Sequence, residues 1–370
     1  MTYRYPAGVA IFYLRIAAGL FLSAVAAFAA LMGVGGPSFT ALYVAWLFVP
    51  APFIYFLLWL RPGLSWLRPG FRPWLRGTAI AYMVASSLLT AALLFAVGWV
   101  GSERAIHPGT CDDLPAVSEH PDLEPALEPV EFHSQDGTRL AGWLAVGSRD
   151  EAVILLHGYG CQREEMLPHA DMLHGAGFTV LLFDLRNRGE SGGEFVSFGF
   201  FEKEDALAAV DYLNSRDDLD ELRIGMLGLS QGGAAAIFAA AASEEVLAVV
   251  AEAPFKSVDS AVAQSFTHFI GLPAFPFAPI TVWLTEQRIG IDSGQIVPGK
   301  TVSELSPRPV LIVHGQDDET ISPADSEAVF AAAGEPKELW LIPGTGHGEG
   351  AITAAEEYRE RIVAFFEDNL

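Results

Sequence analysis

The first 101 residues contain six arginines but no lysine, histidine, aspartate or glutamate. A soluble domain of that length needs mixed charge on its surface, so this stretch excludes a chain that folds as one water-facing unit. Three apolar runs fill it: Ala7 to Val34, broken only by Arg15; Phe39 to Leu60; and Thr78 to Val100. Each reaches the roughly 20 residues that a helix needs to cross a hydrocarbon core. The sequence therefore predicts three transmembrane helices within residues 1–101. A second reading of the first run alone is a signal peptide, with Ala27-Phe28-Ala29 as a small-residue cleavage pattern.

The loop between the second and third runs carries Arg61, Arg68, Arg72 and Arg76 and no acid, and Trp59, Trp66 and Trp74 flank it. Positive loops stay cytoplasmic and tryptophans sit at the interfaces. This places the N-terminus in the cytoplasm and everything after Val100 outside it, in the periplasm or on the outer face of a bacterium. The runs hold no acid and a single arginine, so they read as an anchor in the lipid bilayer and not as an ion pathway.

Residues 102–370 hold 16 basic and 45 acidic side chains, a net charge of −29 against +6 for the first 101. A surface so acidic argues against nucleic acid as a partner and disfavours strongly anionic substrates. Cys111 and Cys161 read as free thiols; in an oxidising compartment they could instead pair.

Residues 102–129 are acidic and broken by Pro108, Pro115, Pro121, Pro125 and Pro129, the pattern of a linker. From residue 130 to 370 the chain changes character. EFHSQDGTRLAGWLAV predicts a β-hairpin turning at Asp136-Gly137. AVILLHG, FTVLLFD, LRIGMLGLS, VLAVVAEA, RPVLIVHG and KELWLIPG are short and continuously apolar, as parallel strands covered on both faces should be. Helical stretches such as EKEDALAAVDYLNS and QGGAAAIFAAAAS lie between them. The alternation predicts an α/β fold with a doubly wound, mostly parallel sheet.

Gly228-Leu229-Ser230-Gln231-Gly232 stands where a strand gives way to a helix. In that context G-x-S-x-G presents a serine at the sheet edge on a tight turn that only small neighbours allow. A serine hydroxyl needs a base and an orienting acid to act as a nucleophile. Three histidines follow Ser230 in the chain: His268, His314 and His347. His347 lies in the Gly-rich PGTGHGEG just past the last strand and is the expected base. His314 ends a strand and is expected to fix the loop after it; His268 sits in a Phe-rich stretch as a core or lid residue. The acid falls in HGQDDETIS, with Asp318 preferred, Asp317 the alternative and Glu319 a third carboxylate. Two amides should form an oxyanion hole: Gln231, directly after the nucleophile, and Tyr159 in His157-Gly158-Tyr159-Gly160 after an early strand. The Tyr159 side chain faces either the pocket or solvent.

HGYG, DLRNRGESGG, GLSQGG, HGQDDETIS and GTGHGEG run in an order that resembles the α/β-hydrolase family. The resemblance is to small bacterial serine hydrolases related to the prolyl oligopeptidase and dienelactone hydrolase groups, and it covers residues 130–370. One departure is Ser322, which displaces the proline usual in the acid loop to Pro323 and keeps Asp317 in play. The resemblance implies a lid insertion at about 254–308. There Phe255, Phe266, Phe269, Phe275, Phe277 and Trp283 would roof Ser230, pack the lid onto the body, or touch the bilayer. It also implies cleavage of an acyl substrate, an ester or thioester before a peptide or amide, without a cofactor. An acyltransferase and a non-catalytic binding module are the competing readings. A pocket for a free peptide N-terminus would need a paired acid near Ser230, such as Glu252. Asp184 and Arg186 read as members of a structural loop before substrate contacts. Gly294–Thr301 spells G-x-x-x-x-G-K-T, but the short apolar stretch before it and Pro307 soon after deny it the strand and helix of a phosphate loop. No HExxH or Cys/His cluster points to zinc.

Overall fold

The computed structural model describes residues 72–111, 114–219 and 222–370. The first two apolar runs and Arg61 and Arg68 lie outside them. The described residues divide into two compact units: residues 72–97 with Phe266–Ile280, and Gly98–Ser265 with Thr281–Leu370.

The third apolar run lies within one long helix, α1 (Arg72–Ile106). Its stretch Ser87–Ile106 is long and apolar enough to cross a membrane. Leu88, Leu89, Leu93, Phe95, Trp99 and Val100 on it are exposed. The helix runs past Val100 into the stretch read as a linker. That stretch is not a loose tether. Leu123 is fully buried, and Cys111 is disulfide-bonded to Cys161. Among the described residues no free cysteine remains, which corrects the reading as free thiols.

The larger unit is built on an eight-stranded sheet. Its strands are β1 (Glu128–His133), β2 (Arg139–Ala145), β3 (Glu151–Leu156), β4 (Thr179–Phe183), β5 (Arg223–Leu229), β6 (Val246–Glu252), β7 (Val310–Gly315) and β8 (Lys337–Ile342). They lie in the order β1-β2-β4-β3-β5-β6-β7-β8. The β1–β2 hairpin turns where Asp136-Gly137 predicted, and β2 also pairs antiparallel with β4. All other pairs are parallel.

Every side chain of β4 and β7 is buried, because helices cover both faces. On one face Ile154, Leu181, Met226, Ala251 and Ile312 pack against α3 (Glu202–Asn214), α4 (Gln231–Ala242) and α7 (Pro323–Ala332). On the other, Val153, Leu182, Leu227, Val250 and Val313 pack against α2 (Leu167–Gly175) and α8 (Ala355–Asn369). The two faces take alternate residues of each strand, the period of two that β-structure imposes. Between β6 and β7 lie α5 (Val258–Ser265), a π-turn at Phe266–Ile270 and α6 (Ala274–Ile289).

The chain leaves β3 for β4 on one side and crosses to β5 on the other. That reversal opens a crevice at the C-terminal ends of β3 and β5, where sheets of this type place their sites.

Candidate active site

Ser230 stands alone between Leu229, the end of β5, and Gln231, the start of α4. Its φ of 53° and ψ of −109° lie where side-chain-bearing residues rarely go. Such strain costs roughly 1–3 kcal/mol and persists only when the surroundings enforce it. The surroundings here are backbone. The Ser230 amide donates to Glu252 O at 2.7 Å, and Ser230 O accepts from the Ala234 amide at 3.1 Å. A Cβ on Gly228 would lie 2.2 Å from Gly232 O, and one on Gly232 would lie 2.1 Å from Leu156 O. The glycines two before and two after the serine are therefore required by contact, and the second presses α4 onto the end of β3.

His347 and Asp318 meet: Nδ1 of His347 lies 2.6 Å from Asp318 Oδ2. Asp318 is held on every side. Its Oδ1 accepts the amides of Thr320 at 2.8 Å and Ile321 at 2.9 Å, and Oδ2 also lies 3.0 Å from His314 Nε2. Burial alone would raise its pKa, but the bonds from His314, His347 and Ile321 outweigh burial and hold it well below the ordinary carboxylate range. Asp318 is thus a carboxylate at any pH the protein meets. Asp317 points elsewhere: it is exposed, and its amide donates to Thr345 O at 2.9 Å. His314 is buried, bonded to Ser326 Oγ and Ile321 O, and fixes the acid loop as its position at a strand end suggested.

The loop bearing His347 is seated against β5, the strand that leads into Ser230. A Cβ on Gly348, whose φ is +68°, would lie 2.8 Å from Leu229 Cδ1. The Gly350 amide donates to Glu252 Oε1 at 3.2 Å. His347 keeps 24% of its side chain exposed, so its ring reaches solvent.

Gln231 supplies the first amide of α4, one of the orphan donors every helix N-terminus leaves. The loop after β3 begins with His157, which is buried, with Nδ1 2.8 Å from Gly158 O and Nε2 accepting the Leu185 amide at 3.0 Å. Tyr159 is partly exposed, its ring stacks on Phe198 at 5.4 Å, and its hydroxyl donates to Arg104 O.

Asp184 and Arg186 are buried and spent on protein groups. Asp184 accepts from the Arg163 amide and guanidinium and from the Glu190 amide; Arg186 pairs with Asp205 and Asp136. The DLRNRGESGG loop is structural, as read. Glu252 is also unavailable: it is 2% exposed, and its carboxylate takes the Tyr358 hydroxyl at 2.5 Å, His169 Nε2 at 3.4 Å and the Gly350 amide. An amine-binding pocket built on Glu252 would find its carboxylate already taken. The cluster of His169, Glu252 and Tyr358 beneath the site escaped the sequence, because its members come from β6, α2 and α8. The one local signal was an acid ending an apolar strand.

The six lid aromatics do not behave as one roof. Phe255, Phe266 and Phe277 are buried, and Phe269, Phe275 and Trp283 are exposed. His268 is exposed. Gly294–Thr301 forms a 3-10 turn and a four-residue helix, with no strand leading in.

Residues 168–370 match the prolyl oligopeptidase family, Peptidase_S9. An uncharacterized protein of Mycobacterium tuberculosis H37Rv is 30% identical over 286 residues, covering 76% of this chain and 93% of its own. The protein YfhR of Escherichia coli K12 is 29% identical over 247 residues, 65% of this chain and 80% of its own. Among solved structures, an esterase of Pyrococcus furiosus superposes with a TM-score of 0.60 at 24% identity, over 72% of this chain and 98% of its own. The α/β hydrolase GrgF of a Penicillium species gives 0.56 at 24% identity, over 66% and 98%. Identities that low speak for the fold, while the family match spans more than half of the chain and takes in Ser230, Asp318 and His347. The chain belongs to the prolyl oligopeptidase family, hydrolases on the α/β-hydrolase fold.

Proposed function

We propose that the protein is a membrane-anchored serine hydrolase that cleaves a carboxylic ester or thioester. The observation that carries this reading is the 2.6 Å contact of His347 Nδ1 with Asp318, on a loop seated against the residue before the strained Ser230. With Nδ1–H donated to the carboxylate, Nε2 carries the lone pair a general base needs. Ser230 Oγ attacks the carbonyl carbon as its proton passes to His347 Nε2. The Gln231 and Tyr159 amides stabilise the oxyanion, each donor of this kind being worth about 10²–10³ in kcat. The tetrahedral intermediate collapses, the C–O or C–S bond breaks, and the alcohol or thiol leaves with the proton from His347. Water then attacks the acyl-enzyme with His347 again as base, releasing the acid and restoring Ser230.

The esterase likeness of the fold favours the ester; the family favours peptide or amide cleavage. With Glu252 consumed in the core, the amine-binding acid of an exopeptidase is missing from that position. The apolar exposed face of α1 supports an anchor. The disulfide supports an oxidising compartment and so the extracytoplasmic side.

The test is fluorophosphonate labelling of membranes holding the wild type, Ser230→Ala or His347→Ala. Labelling of the wild type alone is expected, with turnover of p-nitrophenyl acyl esters exceeding that of matched p-nitroanilides. A folded wild type that stays unlabelled from pH 6 to 9 sinks the mechanism.

A further inference from the structure

The loop bearing the Tyr159 amide is fastened to the end of α1 by an unusual set of bonds. Arg188 is buried, and among the described residues its hydrogen bonds all go to backbone carbonyls. Nε donates to Cys161 O at 3.0 Å, and one terminal nitrogen donates to Pro108 O at 3.1 Å. The other donates to Gly109 O at 3.1 Å and to Gly160 O. The planar fork thus joins two segments that are about fifty residues apart in sequence: two carbonyls follow α1, and two follow Tyr159. A guanidinium suits this role because its five donors lie in one rigid plane.

Among the described residues four other bonds of 3.2 Å or less cross the same seam. The disulfide joins Cys111 to Cys161, the Cys111 amide donates to Gly160 O at 3.2 Å, and the Tyr159 hydroxyl donates to Arg104 O. The fourth runs from the Val196 amide to Ile106 O at 3.0 Å, in the segment leading to Phe198. The fit is close: Gly160 has φ +81°, and a Cβ there would lie 3.2 Å from Gly109 O. On the far side of Tyr159, the Gly158 amide is held by Glu165 Oε2 at 2.6 Å. Both flanks of Tyr159 are therefore pinned while its own ring lies on Phe198.

We propose that Arg104–Cys111 is a working part of the catalytic centre, and that Arg188 and the Cys111–Cys161 disulfide are positioning residues that aim the Tyr159 amide at the oxyanion. This rests on the hydrolase reading above. The segment leaving the membrane helix then sets turnover as well as location. Reduction of the disulfide by a dithiol, which gives two electrons and two protons to the bridge and closes to its own cyclic disulfide as Cys111 and Cys161 become thiols, slackens the loop without touching Ser230, His347 or Asp318.

The experiment uses the full chain in native membranes or detergent, with p-nitrophenyl butyrate as substrate and a phenylboronic acid as probe of oxyanion binding. Arg188→Met, Cys111→Ser/Cys161→Ser and the wild type reduced by dithiothreitol are compared. Misaiming one oxyanion donor is expected to lower kcat by about 10–100-fold, somewhat less than deleting it. KM should hold, boronate affinity should fall in step with kcat, and Arg188→Lys should recover part of the loss. Reoxidation of the reduced wild type should restore it, which guards against a variant that fails to fold. Reduced protein, verified by thiol titration, that keeps wild-type kcat and boronate affinity overturns the proposal while leaving the hydrolase intact. A wild type that neither labels at Ser230 nor turns over overturns both.

Discussion

Asp318 takes hydrogen bonds from the Thr320 and Ile321 amides and from His347, and His314 Nε2 lies 3.0 Å from it. The two amides hold the carboxylate independently of His347, so the imidazole meets an acceptor already aimed. Asp318→Asn presents an amide where an acceptor is needed and favours the wrong tautomer, a change worth about 10⁴ in kcat in such triads. Steady-state kinetics should show that loss with little change in thermal midpoint, and Asp317→Asn should leave kcat near wild type. The reverse pattern would move the acid to Asp317. The sequence preferred Asp318 on the HGQDDETIS pattern, while Ser322 blurred the register and kept Asp317 open. Which carboxylate the β7 turn points inward depends on the amides of Thr320 and Ile321. The turn at Ser230 and the Gly-rich loop of His347 were legible because strained turns demand glycine, and glycine spacing survives as a sequence pattern.

At the scale of elements, the ends of β3 and β4 are clipped together by His157, which accepts the Leu185 amide and lies in hydrogen-bond contact with Gly158 O. Burial pushes its pKa down from 6.5 to about 4. The unfolded chain therefore binds a proton between these values that the folded chain refuses. Stability from this group is complete above pH 6.5 and is lost as the pH falls towards 4. His157→Gln should melt below the wild type at pH 7, by about 1–3 kcal/mol for the lost buried bonds. The gap should narrow steadily in melts run down to pH 4, and a constant gap would show that His157 is not neutral in the fold. The strands and helices themselves were readable from apolar runs, because a sheet covered on both faces leaves no polar alternation to confuse. What stayed hidden was the packing between distant elements. Nothing local announces that His169 of α2 and Tyr358 of α8 meet over Glu252 of β6, or that a Pro-rich stretch is fastened by Arg188.

Taken whole, the molecule holds six arginines and no acid in its first 101 residues, and 16 basic against 45 acidic side chains in the rest, a net +6 against −29. A hydrolase unit of that charge repels anions until salt screens it, over a Debye length of about 10 Å at 0.1 M. For p-nitrophenyl hemisuccinate, kcat/KM should climb several-fold between low salt and roughly 0.5 M, while the butyrate ester stays flat. Equal salt response of the two esters would show that the charge lies away from the site. This property follows from composition alone and needed no structure.

Glu252 does two unrelated jobs at one position. Its main-chain carbonyl receives the amide of Ser230, and its carboxylate receives the amide of Gly350, just past His347. The first job is indifferent to side chain and the second depends on it wholly. In a laboratory lineage, substitutions on the base loop and at position 252 would therefore show strong epistasis. Changes around Gly350 that are neutral beside glutamate would become costly beside any shorter residue. The path by which such an enzyme drifts would be narrowed by a residue that never meets the substrate.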